Sequence, residues 1–141
     1  MRSVESMTHD PPLPRIRLSP TGVHSASLEE IDERFGKQSE IRKIQMESVR
    51  WMIALAIRAG VERIILNGSF VTDIIEPNDV DCVLQFTPGT RKNLAAFREL
   101  RKGLPFLSIA IAAPKRFRRY VDDTFASDRF LVPKGTVEMI L

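Results

Sequence analysis

Residues 64–86 read IILNGSFVTDIIEPNDVDCVLQF, in which two apolar runs are separated by a polar segment. The first run begins a little earlier, over residues 61–67, and is β-branched and bounded by glycine on both sides, which predicts a strand. Gly68 and Ser69 then break this strand. The second run, residues 79–86, predicts another strand. The stretch therefore indicates two strands of one sheet, joined by a polar loop.

Amphipathic helices are predicted before this stretch. Residues 27–30, Ser-Leu-Glu-Glu, form a capping box that starts a helix ending at Gly36. A longer helix over residues 39–60 carries apolar residues at i, i+3 and i+4 spacing and stops at a glycine. In that pattern Arg42 and Lys43 are expected on the polar side.

The C-terminal part of the sequence predicts one further helix and two further strands. Thr90 is the expected cap of a helix that Gly103 closes. Residues 105–113, PFLSIAIAA, are almost wholly apolar, which is typical of a central strand covered on both faces. Residues 115–125 are ambiguous and read as a basic turn of helix followed by a loop. Residues 136–141, TVEMIL, predict a last strand.

The order of these elements predicts one mixed α/β (α+β) domain, a small mixed sheet flanked by helices. A chain of 141 residues is the size of a single domain. Residues 1–26 hold four of the nine prolines and read as an extended arm, which leaves residues 27–141 as the domain.

The composition excludes several classes of protein. No apolar stretch approaches the roughly 20 residues that a membrane-spanning helix needs. Residues 1–18 lack the apolar core of a secretory signal. Cys82 is the only cysteine, which excludes a disulfide framework and a Cys-rich structural zinc site. We therefore expect a cytoplasmic protein that has no membrane partner.

Two aspartates at the start of the second strand point to a metal site. Asp79 and Asp81 project from the same side, one pleat apart, and such carboxylates suit a hard cation such as Mg²⁺. Gly68 permits a sharp turn, and backbone N–H groups with the Ser69 hydroxyl suit phosphate oxygens. Together they are typical of phosphoryl or nucleotidyl transfer. The alternative is a plain turn before a surface strand.

Cys82 alternates to the other face, where a buried small hydrophobe is expected.

Residues 66–86 resemble the signature of the polymerase β-like nucleotidyltransferase superfamily: a hydrophobic residue, Gly-Ser, a spacer, then Asp-hydrophobic-Asp. More narrowly, the chain is similar to an uncharacterised bacterial family of small nucleotidyltransferase-like proteins. The similarity extends to Ser-Pro-Thr-Gly-Val-His at 19–24, Glu…Arg-Phe-Gly at 30–36 and Asp-Arg…Lys-Gly at 128–135. It covers most of residues 18–141 and implies a nucleotidyltransferase-like fold.

The resemblance also implies roles for individual residues. Gly68 and Ser69 would hold the phosphates of an NTP, while Asp79 and Asp81 would hold Mg²⁺. Lys134, before a glycine in a predicted turn, is either a phosphate contact or a solvated turn residue. The implied reaction is Mg²⁺-dependent transfer of a nucleoside monophosphate from an NTP to a protein or RNA acceptor. Small stand-alone domains of this type commonly belong to toxin–antitoxin or phage-defence pairs, which implies a toxin-like protein partner.

The sequence departs from the superfamily pattern in one respect. Active members usually add a third carboxylate from a later, neighbouring strand, but residues 105–113 contain no acid and only one polar side chain, Ser108. Asp122 and Asp123 are the remaining candidates for that acid. If neither serves, the alternative function is a catalytically silent nucleotide-binding module, an antitoxin or a regulator.

Positive charge is concentrated in residues 91–119, where nine basic residues and only one acid, Glu99, give a net charge of +8. Such a concentration favours a phosphate-bearing ligand, a nucleic acid or an acidic partner. The alternative is a solvated helix face followed by a solvated loop.

Overall fold

The computed structural model describes residues 17–18, 24–89, 93–130 and 136–141. Its centre is one sheet of six strands, and four helices pack on the two faces of that sheet. The strands are β1 (Arg17–Leu18), β2 (His24–Ala26), β3 (Arg63–Asn67), β4 (Val80–Gln85), β5 (Leu107–Ala112) and β6 (Thr136–Met139). The helices are α1 (Leu28–Phe35), α2 (Glu40–Ala59), α3 (Leu94–Lys102) and α4 (Pro114–Phe130).

The sheet is mixed, with strand order β1-β2-β6-β3-β4-β5. Strands β2 and β6 are parallel, β3 is antiparallel to both β6 and β4, and β4 and β5 are parallel. A parallel pair needs a crossover connection, and α3 supplies it between β4 and β5. The predicted α+β class, a small mixed sheet flanked by helices, is confirmed.

Alternating side chains along β4 divide the interior into two cores. Val80, Cys82 and Leu84 point into the main core, which contains buried residues of α1, α2 and α3. Val83 points to the other face and packs with Phe117 and Val121 of α4. Helices α1, α2 and α3 therefore cover one face of the sheet, and α4 covers the other.

The strand predicted over residues 105–113 exists, but its predicted place at the centre of the sheet is wrong. It forms β5, the edge strand beside β4. Ser108 is exposed there, and Ile109 and Ile111 are only partly buried against the main core. An apolar run indicates that other elements pack on a strand, but it does not show whether the strand pairs with one neighbouring strand or with two.

Three other expectations change. The predicted arm over residues 1–26 contributes β1 and β2 to the sheet, so its described part is not separate from the domain. Residues 115–125 lie within one continuous helix, α4, instead of a short turn and a loop. Helix α3 is capped by Asn93, not by Thr90, because the Asn93 Oδ1 accepts a hydrogen bond from the Ala96 N–H at 2.9 Å.

The local signals for α1 and α2 are confirmed. Ser27 and Glu30 form both hydrogen bonds of the capping box. Gly60 ends α2 with φ of 91°, a left-handed conformation that favours glycine. None of the helices in the described ranges combines the length and the apolar character that crossing a membrane requires.

Candidate functional site

Gly68 and Asp81 lie against each other at the end of β3. The last residue of β3, Asn67, pairs with Asp81 of β4, and Gly68 follows directly with φ of 90°. A Cβ atom at Gly68 would stand 2.7 Å from the Asp81 Oδ2 atom. Both the backbone conformation and the lack of space therefore require glycine here. The structure brings together these two residues of the predicted site.

Ser69 closes the loop that leads from Gly68 to the aspartates. Its Oγ accepts a hydrogen bond from the Asn78 N–H at 2.8 Å, and Asn78 immediately precedes Asp79. Residues Ser69–Val71 form one turn of 3-10 helix. Among the described residues, no acceptor bonds the N–H of Ser69 or of Phe70. The turn thus has two N–H donors beside Gly68 to which the described part of the chain offers no acceptor.

The charge of Asp79 acts on the carboxyl of Asp81. Asp81 is on β4 and Asp79 just precedes that strand; both residues are exposed. Although the residue as a whole is exposed, partial burial of its carboxyl raises the pKa of Asp81, and the negative charge of Asp79 raises it further. Within the described part of the chain, no cation or hydrogen-bond donor contacts either carboxylate. A bound cation would relieve this repulsion, which is why the pair fits Mg²⁺.

A row of polar side chains crosses four strands at this level of the sheet. Thr136 of β6 pairs with Asn67, Asn67 pairs with Asp81, and Asp81 pairs with Ser108 of β5. The Asn67 Oδ1 accepts hydrogen bonds from the Thr136 hydroxyl at 3.1 Å and from the Gly68 N–H at 2.8 Å. Because these contacts fix the Asn67 side chain, it holds the start of the Gly68 turn.

The described residues do not supply a third acid to the site. They contain no group of three or more His, Cys, Asp or Glu side chains that could hold a metal ion. Ser108 occupies the position opposite Asp81 on the neighbouring strand. Asp122 is exposed on α4. The side chain of Asp123 and the whole of Lys134 lie outside the described residues.

Arg42 of α2 anchors the loop from inside the protein. Its expected place on the polar side of the helix is wrong, because the residue is only 2% exposed. Its guanidinium also lies 5.4 Å from the centre of the Phe70 ring. Burial lowers the pKa of Arg42, although the Asp73 carboxylate opposes this effect. The side chain donates hydrogen bonds to the carbonyl oxygens of Phe35, Ser69, Phe70, Thr72 and Ile74.

Two further side chains near the start of α2 hold the same loop. The Gln45 Nε2 donates to the carbonyl oxygens of Pro77 at 3.2 Å and Asn78 at 2.9 Å. The hydroxyl of Ser39 donates to the carbonyl oxygen of Ile75 at 3.0 Å. Helix α2 therefore fixes the loop from the Gly-Ser turn to the residue before the aspartates. No pattern in the sequence predicts this role of α2.

The basic segment 91–119 is divided by the sheet. Arg98, Arg101 and Lys102 belong to α3 on one face, whereas the basic residues of α4 lie on the other face. All seven basic side chains that the structure describes in this segment are exposed: Arg98, Arg101, Lys102, Lys115, Arg116, Arg118 and Arg119. The segment therefore does not form the single basic surface that its sequence suggests.

Comparison with known proteins shows the family of the chain. A family model described as "Family of unknown function (DUF6932)" matches residues 11–140. No curated protein and no solved structure matches the chain. The match covers most of the chain, including every residue of the Gly68–Asp81 site.

Proposed function

The chain belongs to DUF6932, a family of unknown function. From the geometry of its site, we propose that it is a Mg²⁺-dependent nucleotidyltransferase. It would bind an NTP and transfer the nucleoside monophosphate to a protein or RNA acceptor. The observation that carries this proposal is the contact between Gly68 and Asp81, which puts a phosphate-type turn directly beside a carboxylate pair.

Each residue of the site has a definite part in this proposal. Asp79 and Asp81 hold Mg²⁺, which when bound neutralises phosphate charge and polarises the reacting phosphorus centre. Gly68 has no side chain, so phosphate oxygens can approach the backbone closely. The free N–H groups of Ser69 and Phe70 donate hydrogen bonds to those oxygens. In the transfer, the acceptor hydroxyl oxygen bonds to the α-phosphorus, the bond from the α-phosphorus to the oxygen of the β-phosphate breaks, pyrophosphate leaves, and the hydroxyl proton passes to water.

The partner and the compartment belong to the same proposal. Its support is the resemblance to small nucleotidyltransferase-like proteins, which commonly work in toxin–antitoxin or defence pairs. A toxin-like protein partner or an RNA would then be the acceptor, and the reaction would take place in the cytoplasm, where NTPs are found. Lys134, next to a glycine, remains a candidate phosphate contact in this scheme.

A second function, a silent nucleotide-binding or regulatory module, is favoured by Ser108. The strand beside Asp81 presents a hydroxyl where active members of the superfamily present a carboxylate. A metal with two anionic ligands is held less well than one with three, and no described group is placed to take the proton of an acceptor hydroxyl. In this alternative, the protein binds Mg²⁺·NTP without transfer.

Binding of Mg²⁺·NTP tests both functions together. Calorimetry with each of the four NTPs, with and without Mg²⁺, should give Mg²⁺-dependent binding for the wild type. The double variant Asp79→Asn, Asp81→Asn should lose at least about tenfold in affinity, because both proposed metal ligands lose their charge. Glu76→Gln, which neutralises an exposed acid of the same loop, is the matched control. Equal binding by the double variant and the wild type would show that the metal site is wrongly assigned.

Transfer separates the two functions. The protein is incubated with labelled NTPs, Mg²⁺ or Mn²⁺, and either total RNA or total cell protein. Covalent label on an acceptor, lost in Asp81→Asn, is the result expected of an enzyme. Nucleotide binding without label on any acceptor would favour the silent module instead.

A further inference from the structure

The proposed chemistry makes no use of Arg42, although its side chain forms an extensive set of hydrogen bonds near the site. Its Nε donates to the carbonyl oxygen of Ile74 at 3.0 Å. Its Nη1 donates to Phe35 at 3.0 Å and Phe70 at 2.6 Å, and its Nη2 donates to Thr72 at 2.7 Å and also to Ile74 at 2.5 Å, which makes five hydrogen bonds with that of Nε. A guanidinium has five N–H groups, and these carbonyls are enough in number to occupy them all. Arg42 therefore has no donor left for a phosphate.

The direction of these hydrogen bonds also determines which way the N–H groups of the loop point. In a trans peptide unit, the C=O of one residue and the N–H of the next point in opposite directions. The carbonyls of Ser69 and Thr72 point towards Arg42, so the N–H groups of Phe70 and Asp73 point away from it. No described residue accepts a hydrogen bond from either N–H. Arg42 thus holds these carbonyl oxygens of the loop towards the interior, so that the N–H groups of Phe70 and Asp73 point away from it.

We infer that Arg42 is a positioning residue, which holds the loop between Gly68 and Asp79 in the one conformation that presents its N–H groups to the phosphate chain of a nucleotide. This inference rests on the proposed function. Arg42 touches neither the metal nor the phosphates in this role. It acts through the carbonyls of the loop.

The role depends on the shape of the side chain as well as on its charge. Lysine carries the same charge but has only three donors on a single nitrogen, so it cannot bond all these carbonyls at once. The Arg42→Lys variant keeps a cation buried beside Phe70 but frees part of the loop. Binding of phosphates should then weaken, whereas Asp79 and Asp81, which are not bonded to Arg42, should still bind a metal ion.

The experiment measures these two properties separately. Electron paramagnetic resonance follows binding of Mn²⁺ alone to the carboxylate pair, and calorimetry follows binding of inorganic tripolyphosphate in the presence of Mg²⁺. For Arg42→Lys we expect Mn²⁺ affinity within about twofold of wild type and tripolyphosphate affinity at least about tenfold lower. Arg50→Lys is the matched control, since Arg50 lies on the same helix and pairs with Asp32 away from the loop.

Three results would overturn the inference. A folded Arg42→Lys protein that binds tripolyphosphate as the wild type does would overturn the inference and leave the proposed function intact. Equal losses for Mn²⁺ and tripolyphosphate would also overturn it, because Arg42 would then support the fold in general. A wild type that binds neither tripolyphosphate nor an NTP would overturn the proposed function and the inference together.

Thr72→Val provides the test if Arg42→Lys does not fold. The Thr72 hydroxyl braces the loop internally, donating to the carbonyl of Ser69 and accepting from the Ile74 N–H at 3.3 Å. Valine has nearly the same shape without these bonds. We expect about a threefold loss of tripolyphosphate affinity with unchanged Mn²⁺ binding, and an unchanged tripolyphosphate affinity would contradict the inference.

Discussion

At Asp81 two effects act on the carboxyl in the same direction. Burial and the charge of Asp79 both raise its pKa, so the folded chain binds this proton more tightly than the unfolded chain does. The stabilisation from that proton is complete below the ordinary carboxyl pKa of about 3.9 and is lost as the pH rises through the raised pKa. Near neutral pH the ionised Asp81 therefore lowers the stability of the metal-free protein.

Asp81→Asn should remove this penalty. In EDTA at neutral pH we expect a Tm above that of the wild type, and the difference should shrink as the pH falls through the raised pKa of Asp81 and be gone below about 3.9. With Mg²⁺ at neutral pH the order should reverse, because only the wild type gains from the cation. Thermal unfolding over a pH series measures both effects, with Asp122→Asn as an exposed control. A pH-independent difference in EDTA would contradict the assigned repulsion.

Cys82 gives a second prediction at the scale of one residue. The side chain is 1% exposed, and burial raises the pKa of its thiol, with a further contribution from Asp81. Because the thiolate is the reactive form, a thiol reagent should label the native protein at least about 100-fold more slowly than the protein in denaturant. As the only cysteine, it gives an unambiguous signal. Fast labelling in native buffer would show that β4 opens locally.

At the scale of elements, the parallel pair β4 and β5 determines what faces Asp81. Ser108 is its partner in register, so Ser108→Asp should place a third carboxylate in the site. If a missing base limits transfer, the rate should rise by about 10²–10⁴-fold and Mn²⁺ should bind more tightly. Ser108→Asn, similar in shape but uncharged, should give neither gain. A folded Ser108→Asp protein with unchanged metal affinity would refute this account of the site.

At the scale of the whole molecule, the sheet separates the basic side chains into two groups. Helix α3 ends just before β5 begins, at the same end of the sheet as Asp81 and Ser108. Helix α4 begins after Ala112, four residues further along β5, which is about 13 Å away. This distance exceeds the screening length of about 8 Å at physiological ionic strength, so a charge at the very start of α4 is largely screened from the site, although Asp81 projects to the same face of the sheet as Val83, which α4 covers.

Charge reversal should therefore have unequal effects on NTP binding. We expect Arg101→Glu with Lys102→Glu to weaken the binding of Mg²⁺·NTP and to reduce its dependence on salt. The reversal of Arg116 and Arg118, which changes the same number of charges, should have a smaller effect. Calorimetry at two salt concentrations measures both. A larger loss from the α4 pair would mean that the nucleotide extends along the face of the sheet that α4 covers, to which the Asp81 side chain also projects.

The parts of the site that depend on neighbouring residues could be predicted from the sequence. Strand alternation places Cys82 opposite Asp81, and the break at Gly68 is a local signal. The central place of β6 and the edge place of β5 depend on pairings between distant segments, which no local pattern encodes. Arg42 is predicted on the polar side of α2 because arginine usually faces solvent. Its spacing of three and seven residues from Gln45 and Val49 puts it on the buried face instead.

The place of β6 has a consequence for synthesis of the chain. Among the described elements, β6 comes last in chain order but lies between β2 and β3. During synthesis the other five described strands therefore leave the ribosome before β6, which joins β2 to β3. Until then, β2 and β3 each present an open edge that could pair with a neighbouring nascent chain. The domain can complete its sheet only after translation of residues 136–139, so stalling before that point leaves a chain that needs protection by a chaperone.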